Sequence, residues 1–360
     1  MANGSNILGA GGTYLAFEKP IAKLESQIEE LQLAQEQRDQ TGRDFSEEIK
    51  KLRANLVSLV QKTYANLSAW ETVLVARHQN RPVVADYLDM IVEDFCALHG
   101  DRRFRDDKAI VAGFGRIRGR KVMIIGNNKG RQLKEKVACN FGCAHPEGYR
   151  KALRVMKLAE KYNLPIVSLI DTSGAYPGIG SEERSVAQAI AENLMAMSRL
   201  RLPIVCVVVS EGGSGGALGI GVGDKMAMLE HAYYSVIPPE GCAAILWKSG
   251  EYAKEAALAL KPTAKELLKL GIIDDIIPEP LGGAHRDPQQ TGLLVETYIT
   301  RTLGQLCRVP IDKLIERRYQ KLRLIGSLAD GSIKLAGETK TKKTARKKNN
   351  VGQESFKKLS

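Results

Sequence analysis

The feature that most restricts the fold is an apolar stretch that runs directly into a glycine-rich segment. Residues 202–210 read "LPIVCVVVS", and residues 210–225 read "SEGGSGGALGIGVGDK". A continuous apolar run rich in β-branched residues is typical of a strand that is buried on both faces of a sheet. Seven glycines follow between Gly212 and Gly223. So much bare backbone at the end of a buried strand predicts a binding or catalytic loop.

Apolar strands alternate with helices through the middle of the chain. The strands are predicted over 109–117, 121–126, 165–170 and 203–209, and the helices between them over 146–164 and 182–200. The first two strands are joined by a turn at 118–120. This alternation predicts the α/β class. The pattern is compatible with a doubly wound sheet and with stacked ββα units.

Two amphipathic helices are predicted ahead of these strands. Their apolar positions recur at helical spacing, at Ile21, Leu24, Ile28 and Leu31 in the first helix and at Ile49, Leu52, Leu56, Leu59 and Val60 in the second. We therefore expect a flexible N-terminus over 1–16, a helical arm over 17–80 and a main domain over 81–326. A basic, disordered tail is expected over 327–360.

Most of the positive charge lies in that tail. The whole chain has a formal net charge of +12, and the segment from Lys334 to the end has nine Lys or Arg and two Asp or Glu, which leaves only +5 for the rest. Few apolar residues occur there, so the tail cannot bury a core. Nucleic-acid binding is therefore expected only through the tail, and a solubilising extension is the alternative.

The rest of the composition points to a cytoplasmic protein without a membrane span. No apolar run approaches the roughly 18 residues that a spanning helix needs, and the N-terminus lacks the features of a secretion signal. Cys96, Cys206 and Cys307 lie among apolar neighbours and are predicted to be buried, reduced thiols.

Three kinds of chemistry could explain the glycine-rich segment. A phosphate cradle is disfavoured because neither the P-loop spacing nor Gly-x-Gly-x-x-Gly fits. A nucleophile elbow is possible in principle, because residues 212–216 match Gly-x-Ser-x-Gly around Ser214. The downstream acids and bases that could complete a triad are Asp274, Asp275, His231 and His285.

The third possibility is a set of backbone N–H groups that stabilise an oxyanion. The loop "DTSGAYPG" (171–178) also follows an apolar strand, so two glycine-bearing loops end two strands. Glycine lets a backbone approach a ligand closely and present successive N–H groups to it. Two such loops together can hold the negative charge that develops on a carbonyl oxygen. Close packing of helix on sheet is the alternative explanation for the glycines.

Several long blocks resemble the alpha-subunit family of bacterial acetyl-coenzyme A carboxylase carboxyltransferases. They include "NFGCAHPEGYRKALRVMKLAEK", "DTSGAYPGIGSEER" and "SEGGSGGALGIGVGDKMAMLEHAYYSVIPPEGCAAILWK", and the resemblance extends from about Phe17 to about Gly326. It implies a crotonase-like superhelix of stacked ββα units with an N-terminal helical arm, within the α/β class. Within the family pattern, Ser173 stands where proline is usual, and Asn127-Asn128 where His-Gln is common.

The resemblance also implies a reaction and its partners. The carboxyl group would pass from carboxybiotin, carried on the biotin carboxyl carrier protein, to acetyl-CoA, giving malonyl-CoA for fatty acid biosynthesis. The expected partner is a beta subunit of the same fold in an α2β2 assembly, which contains the zinc that this chain lacks. Biotin carboxylase and its ATP binding belong to the larger complex. A carboxyltransferase or decarboxylase for another acyl-CoA is the alternative within the fold.

The resemblance assigns roles to six residues. Gly215 and Gly216 would supply the oxyanion-hole amides for carboxybiotin, while Gly174, Ala175, Gly212 and Gly213 would line the substrate pocket. The reaction that the resemblance implies has two organic anions, the ureido anion of biotin and the enolate of acetyl-CoA. Both need fixed N–H donors more than a side-chain base.

Two further clusters are interpreted as structural. Cys139, Cys143 and His145 lack a fourth ligand and do not have a standard zinc spacing. Lys129, Arg131, Lys134 and Lys136 form a basic cluster that is expected to be a solvated face, with CoA phosphates or an acidic carrier domain as the alternative contacts.

Overall fold

A computed structural model describes residues 14–36 and 44–326 of the chain. Apart from residues 14–16, the predicted flexible N-terminus (1–16) lies outside this part, as does the whole of the predicted basic tail (327–360). Among the helices of the two described ranges, none combines the length and the apolar character that crossing a bilayer requires.

An eight-stranded sheet lies at the centre of the described chain. Its strands are β1 (Glu93–Ala97), β2 (Ile110–Ile117), β3 (Arg120–Asn127), β4 (Ile166–Thr172), β5 (Ile204–Gly213), β6 (Lys225–Leu229), β7 (Tyr233–Ser235) and β8 (Asp275–Ile277). The strand order is β1-β2-β3-β4-β5-β6-β8, and β7 pairs with β5. Strands β1 to β3 are antiparallel, whereas the pairings from β3 onwards are parallel. The predicted α/β class is confirmed.

Fourteen α-helices surround this sheet in the described residues. They are α1 (Lys19–Glu36), α2 (Ser46–Ala65), α3 (Ala69–Ala76), α4 (Val84–Ile91), α5 (Leu133–Ala138), α6 (Pro146–Lys161), α7 (Ile179–Glu183), α8 (Val186–Arg199), α9 (Ser214–Leu218), α10 (Pro239–Trp247), α11 (Ala253–Leu260), α12 (Ala264–Lys269), α13 (Pro288–Leu306) and α14 (Ile311–Leu324). Helix α6 contacts β2, β3 and α8, whereas α4 contacts β4 and α13. Every residue of β4 and β5 is buried, as continuous apolar strands predict.

The β2–β3 hairpin and α6 form the ββα unit that the sequence allowed. Arg118 and Gly119 both have positive φ, as a two-residue type I′ turn requires. Pro146 opens α6 at its first position, where a missing N–H costs no helical hydrogen bond. Further along α6, a fully buried apolar stripe consists of Ala152, Val155, Met156 and Ala159.

The N-terminal helices α1 and α2 pack on each other around a small core to which α3 also contributes. The buried members of that core are Ile21, Ile28, Leu56, Val60, Tyr64 and Val75. Arg286 ties this part to the rest of the chain, because its guanidinium lies 2.9 Å from Glu25 Oε1 and 3.3 Å from Glu18 Oε1. The division into an arm over 17–80 and a domain over 81–326 stays a prediction.

Two predictions from the sequence are wrong in detail. The single helix expected over 182–200 is interrupted at Ser185, whose φ is +62°. The break leaves Arg184 within 3.1 Å of the buried carboxylate of Glu147. Of the three thiols expected to be buried, Cys206 is buried but Cys96 and Cys307 are exposed, because they lie on the edge strand β1 and just after the end of α13.

Candidate active site at the paired glycine loops

Two glycine-bearing loops leave the sheet at the carboxyl ends of the neighbouring parallel strands β4 and β5. We call residues 171–178 loop A and residues 211–218 loop B. Where they begin, Thr172 of β4 pairs with Gly212 of β5. On its other side, the end of β5 pairs with β7. Ligands of open α/β sheets bind at the carboxyl ends of the strands, so this edge is a candidate site.

The two loops touch through backbone atoms. A Cβ atom built on Gly213 would overlap the carbonyl group of Ser173. One built on Gly216 would overlap the carbonyl carbon of Gly174 and lie 2.6 Å from the Ala175 nitrogen. Real Cβ atoms do not approach backbone atoms so closely, so loop A and loop B can meet only because both loop B positions are glycine.

The other two glycines named from the sequence lie beside this contact. A Cβ atom on Gly215 would meet Ile190 Cδ1 at 3.6 Å, an ordinary van der Waals contact. One on Gly212 would lie 2.6 Å from the Tyr234 ring. The structure thus brings all six predicted residues into two adjoining loops, and packing alone does not require glycine at position 215.

The N–H groups near the contact differ in their hydrogen bonds. The Gly174 N–H donates to Thr172 Oγ1 at 3.1 Å, whereas the Ala175 N–H makes no hydrogen bond with any described residue. In loop B, α9 begins at Ser214, whose φ of +49° is left-handed. The first N–H groups of a helix have no acceptor within the helix. Backbone donors of both loops are therefore available to a negatively charged oxygen.

Beneath the loops lies a mostly buried group of charged side chains. Lys129, two residues beyond β3, places its Nζ 2.7 Å from Asp171 Oδ1 and 3.0 Å from Glu211 Oε2. The Glu211 N–H also donates to Asp171 Oδ1 at 3.3 Å. The Lys129 side chain is only 18% exposed, so the expectation that it belongs to a solvated basic face is wrong.

Arg77 extends this charged group towards β7 and α10. Its guanidinium lies 2.5 Å from Glu211 Oε1, 2.5 Å from Glu240 Oε1 and 2.9 Å from the Tyr233 hydroxyl oxygen. The sequence analysis missed Arg77 and the two carboxylates of this charged group that begin the loops, Asp171 and Glu211. A signal was present, because an acidic residue stands at the start of each glycine loop.

The pKa values in this group reflect burial and mutual attraction. Burial raises the pKa of Asp171 even though Lys129 is beside it. Burial would also raise the pKa of Glu211, but Lys129 and Arg77 outweigh that effect and lower the pKa. Burial alone would lower the pKa of Lys129, yet the two carboxylates raise it. The lysine is therefore a fixed cation at neutral pH.

A cavity of about 220 Å³ adjoins these charges. Arg77, Lys129, Glu211 and, from loop A, Ser173 are among its lining residues. The cavity therefore connects the charged group with the glycine loops.

The histidines that would complete a serine triad have other surroundings. The ring of His231 packs edge to face against Tyr64, with centroids 5.4 Å apart. The ring of His285 stacks on His78 at 4.1 Å. No hydrogen bond of the described chain joins Ser214 to either candidate base.

The candidate acids are likewise engaged elsewhere. Asp274 Oδ2 lies 3.0 Å from Lys321 Nζ, and Asp275 accepts the hydroxyl hydrogen of Tyr298 at 2.9 Å. The Gly-x-Ser-x-Gly match around Ser214 therefore has no triad to support it in the described residues.

The two cysteines and the histidine that were considered as metal ligands are likewise buried or in contact with other side chains. Cys139 is buried, Cys143 Sγ lies 3.3 Å from Ser173 Oγ, and His145 Nδ1 lies 2.8 Å from Ser181 Oγ. Across residues 14–36 and 44–326, no group of three or more His, Cys, Asp or Glu side chains is arranged to hold a metal ion.

Comparison with known proteins gives one consistent result. The family described as "Acetyl co-enzyme A carboxylase carboxyltransferase-like" matches residues 14–326. The acetyl-coenzyme A carboxylase carboxyl transferase subunit alpha of Rhodopirellula baltica is 53% identical over 321 residues, which are 89% of this chain and 99% of the relative. The protein of the same name from Edwardsiella ictaluri is 52% identical over 313 residues, 87% of this chain and 98% of the relative.

A solved structure with the same fold is much more distant in sequence. The beta subunit of geranyl-CoA carboxylase from P. aeruginosa is 20% identical, with a TM-score of 0.50 over 68% of this chain and 46% of that one. This likeness concerns the fold alone and confirms the predicted crotonase-like carboxyltransferase architecture. Because the family match covers both glycine loops and most of the sequence, the chain belongs to the acetyl co-enzyme A carboxylase carboxyltransferase-like family.

Proposed function

We propose that this chain is the alpha subunit of a carboxyltransferase that moves a carboxyl group from carboxybiotin to acetyl-CoA and so forms malonyl-CoA. Two relatives that are at least 52% identical over nearly their whole length have the name of that subunit. The observation that carries the proposal is the backbone contact of loops A and B at Gly216, which gathers peptide N–H groups at one point.

In this proposal, backbone donors hold the charge that appears during the reaction. The N–H groups of Gly215 and Gly216 face the ureido oxygen of the substrate, and Gly174, Ala175, Gly212 and Gly213 line the pocket. Carboxybiotin supplies the activated carboxyl group. The chain orients its ureido oxygen and stabilises negative charge there. Loss of one such donor typically costs about 10²–10³ in rate.

The residues present fit that substrate. The space beside Gly174 is open to a ligand, because a Cβ atom built there would meet no atom within 4 Å apart from its chain neighbours. The Ala175 N–H has no acceptor among the described residues. A donor without a partner next to open space is the arrangement that an incoming oxygen needs.

The proposal includes partners that complete the site. We infer a beta subunit in an α2β2 assembly, with zinc bound by that subunit. Biotin carboxyl carrier protein delivers biotin, and biotin carboxylase belongs to the larger cytoplasmic complex. The chain is expected to be inactive alone, with α1 and α2 as an arm over 17–80 and the carboxyltransferase domain over 81–326. The relatives' name, which describes them as subunits, supports this proposal.

The test is reconstitution from purified components. The full chain, a bacterial beta subunit and biotinylated carrier protein are mixed with acetyl-CoA and a carboxylated-biotin supply, and malonyl-CoA formation is measured. Gly215→Val places a branched side chain beside the proposed N–H donors and against Ile190, and loss of one donor's contact with the substrate oxygen should lower kcat about 10²–10³-fold. Ser214→Ala is the matched control and should retain turnover, because its side chain has no assigned role.

Two results would contradict the proposal. One is the absence of biotin-dependent turnover in a correctly assembled wild-type complex. The other is covalent labelling of Ser214 by a fluorophosphonate probe that Ser214→Ala abolishes, which would identify a serine hydrolase.

A further inference from the structure

Each glycine loop begins at a carboxylate. Asp171 is the first residue of loop A, and Glu211 is the first residue of loop B. Their side chains are 1% and 7% exposed. Two carboxylates in such surroundings repel each other strongly unless a cation lies between them.

One ammonium group lies between these two carboxylates. Lys129 Nζ is 2.7 Å from Asp171 Oδ1 and 3.0 Å from Glu211 Oε2. The Glu211 N–H closes the ring by donating to the same Asp171 oxygen at 3.3 Å. Besides the pairing of Thr172 with Gly212, the start of loop A and the start of loop B are therefore joined through one cation and one hydrogen bond from a backbone N–H to a side chain.

The other cation in this group reaches one loop only. Arg77 contacts Glu211 of loop B and then Glu240 and Tyr233, which belong to α10 and β7. Among the ion pairs of the described residues, Lys129 alone contacts the carboxylates of both loops.

The contact above this ring tolerates little movement. At Gly213 and Gly216 the backbones of the two loops are already too close to admit a Cβ atom. If the distance between Asp171 and Glu211 changed, the backbone N–H donors of both loops would shift as well, because they follow these two residues closely in the chain. Without the lysine, the carboxylates must separate or take up a proton, and either response changes that separation.

We propose that Lys129 is a positioning residue, which sets the spacing and alignment of loop A against loop B by holding Asp171 and Glu211 together. The catalytic part of this proposal rests on the proposed function of the loops. In this proposal Lys129 acts through the two carboxylates and the backbone that follows each of them, and no contact with substrate is assigned to it.

Hydrogen–deuterium exchange on the full-length chain tests the positioning role without any assay of activity. Lys129→Met should speed amide exchange at least tenfold in loop A and in loop B. The matched control is Lys151→Met, because Lys151 is also a buried lysine with two oxygen partners, Asp106 Oδ1 and the Asp107 carbonyl, each at 2.7 Å. Neither partner belongs to a glycine loop, so Lys151→Met should leave exchange in both loops unchanged.

Two further variants keep the test informative if Lys129→Met folds poorly. Lys129→Met combined with Asp171→Asn removes one charge of each sign, while Glu211 keeps Arg77 as its partner. This double variant should unfold at nearly the wild-type temperature and still exchange faster in both loops. Lys129→Arg keeps a cation within reach of both carboxylates and should retain most of the protection.

Turnover in the reconstituted complex adds a second readout. In the double variant kcat should fall about 10²-fold, with the KM for acetyl-CoA within about twofold of wild type, because alignment is lost rather than binding. If the wild-type complex has no turnover, the proposed function fails, whereas exchange still decides the positioning role. Wild-type exchange in a folded double variant, faster exchange in one loop only, or an equal effect of Lys151→Met would overturn the proposal.

Discussion

At the residue scale, the candidate site depends on the absence of two Cβ atoms. Gly216→Ala would place a methyl group into the carbonyl carbon of Gly174, so the loops must separate. We expect a loss of about 1–3 kcal/mol in the free energy of unfolding, as for other overpacked positions. Turnover of the reconstituted complex should fall with it. Urea unfolding and malonyl-CoA formation measure the two effects.

The matched control is the neighbouring glycine. Gly215→Ala meets only Ile190 at an ordinary contact distance. It should change the free energy of unfolding by less than about 0.5 kcal/mol, because no neighbouring atom has to move to admit the methyl group. Equal destabilisation by the two alanine variants would mean that the backbone contact does not depend on Gly216.

A second prediction at this scale concerns pH. Burial, together with the neighbouring His78, Arg81 and Arg286, lowers the pKa of His285 to about 3. The ordinary value of about 6.5 holds in the unfolded chain, which therefore binds more protons below that pH. The free energy of unfolding should decrease as pH falls below about 6.5. The slope from this group approaches about 1.4 kcal/mol per pH unit.

Urea titrations at about pH 6.5 and about pH 4.5 measure this slope. His285→Phe removes the titrating ring and should reduce the slope, whereas the same change at His99, whose side chain is 73% exposed, should not. A slope that His285→Phe leaves unaltered would show that other groups cause the acid sensitivity.

The sequence predicted the glycine positions of the site but not the charges beneath them. Glycine followed by glycine after an apolar strand is a local pattern, and it can be recognised from consecutive residues. The partners of Lys129 lie 42 and 82 positions further along the chain, in Asp171 and Glu211. Only the pairing of β3, β4 and β5 brings them together, so the same lysine looked like part of a surface cluster.

At the element scale, one arginine joins α1 to the loop before α13. Arg286 is paired with Glu18 and Glu25, and its side chain is 9% exposed. Arg286→Met would leave two carboxylates without their cation. We expect the free energy of unfolding to fall by about 3 kcal/mol. Amide exchange in α1 and α2 should increase while β4 and β5 stay protected.

An exposed ion pair in the same helices provides the comparison. Lys50 and Glu47 lie 3.8 Å apart, and their side chains are 79% and 80% exposed. Lys50→Met should cost less than about 1 kcal/mol, as is usual for surface pairs. Rapid exchange in β4 and β5 after Arg286→Met would instead mean that the helices and the sheet unfold together.

Helices with a clear apolar stripe were predicted, and one with a mixed stripe was not. From residue 152 onwards the buried positions of α6 are all apolar (Ala152, Val155, Met156 and Ala159), so the period of that part is easily read. The buried face of α13 mixes polar with apolar positions, at Thr291, Gly292, Val295, Tyr298, Ile299, Thr302 and Leu303. Polar residues on the inward face weaken the hydrophobic period, which explains why the sequence analysis left this segment unassigned.

At the scale of the whole molecule, α10 and α11 present an exposed apolar surface. Ile245 and Leu246 of α10 and Leu258 of α11 are each more than 60% exposed, and the two helices pack together. Exposed apolar groups of this kind mark interaction sites. We expect this surface to bind the proposed beta subunit. Leu246→Asp should weaken that association at least tenfold, as measured by analytical ultracentrifugation.

A leucine on another face serves as the control. Leu293 of α13 is 48% exposed, and Leu293→Asp should leave assembly unchanged. Turnover of the Leu246→Asp complex should recover when the subunit concentration is raised, because the site itself is intact. Unchanged association in Leu246→Asp would place the subunit interface elsewhere on the chain.

Strand β5 pairs with two different strands along the same side, and this has a consequence for synthesis on the ribosome. Its first part pairs with β6 through Val208, but Glu211 to Gly213 pair with β7, which is translated later. A nascent chain that stops before residues 233–235 therefore lacks the strand that pairs with the outer side of loop B. The edge that contains the candidate site is completed only when β7 has been translated, so ribosome-stalled chains of increasing length should acquire a protected loop B only after β7 has emerged.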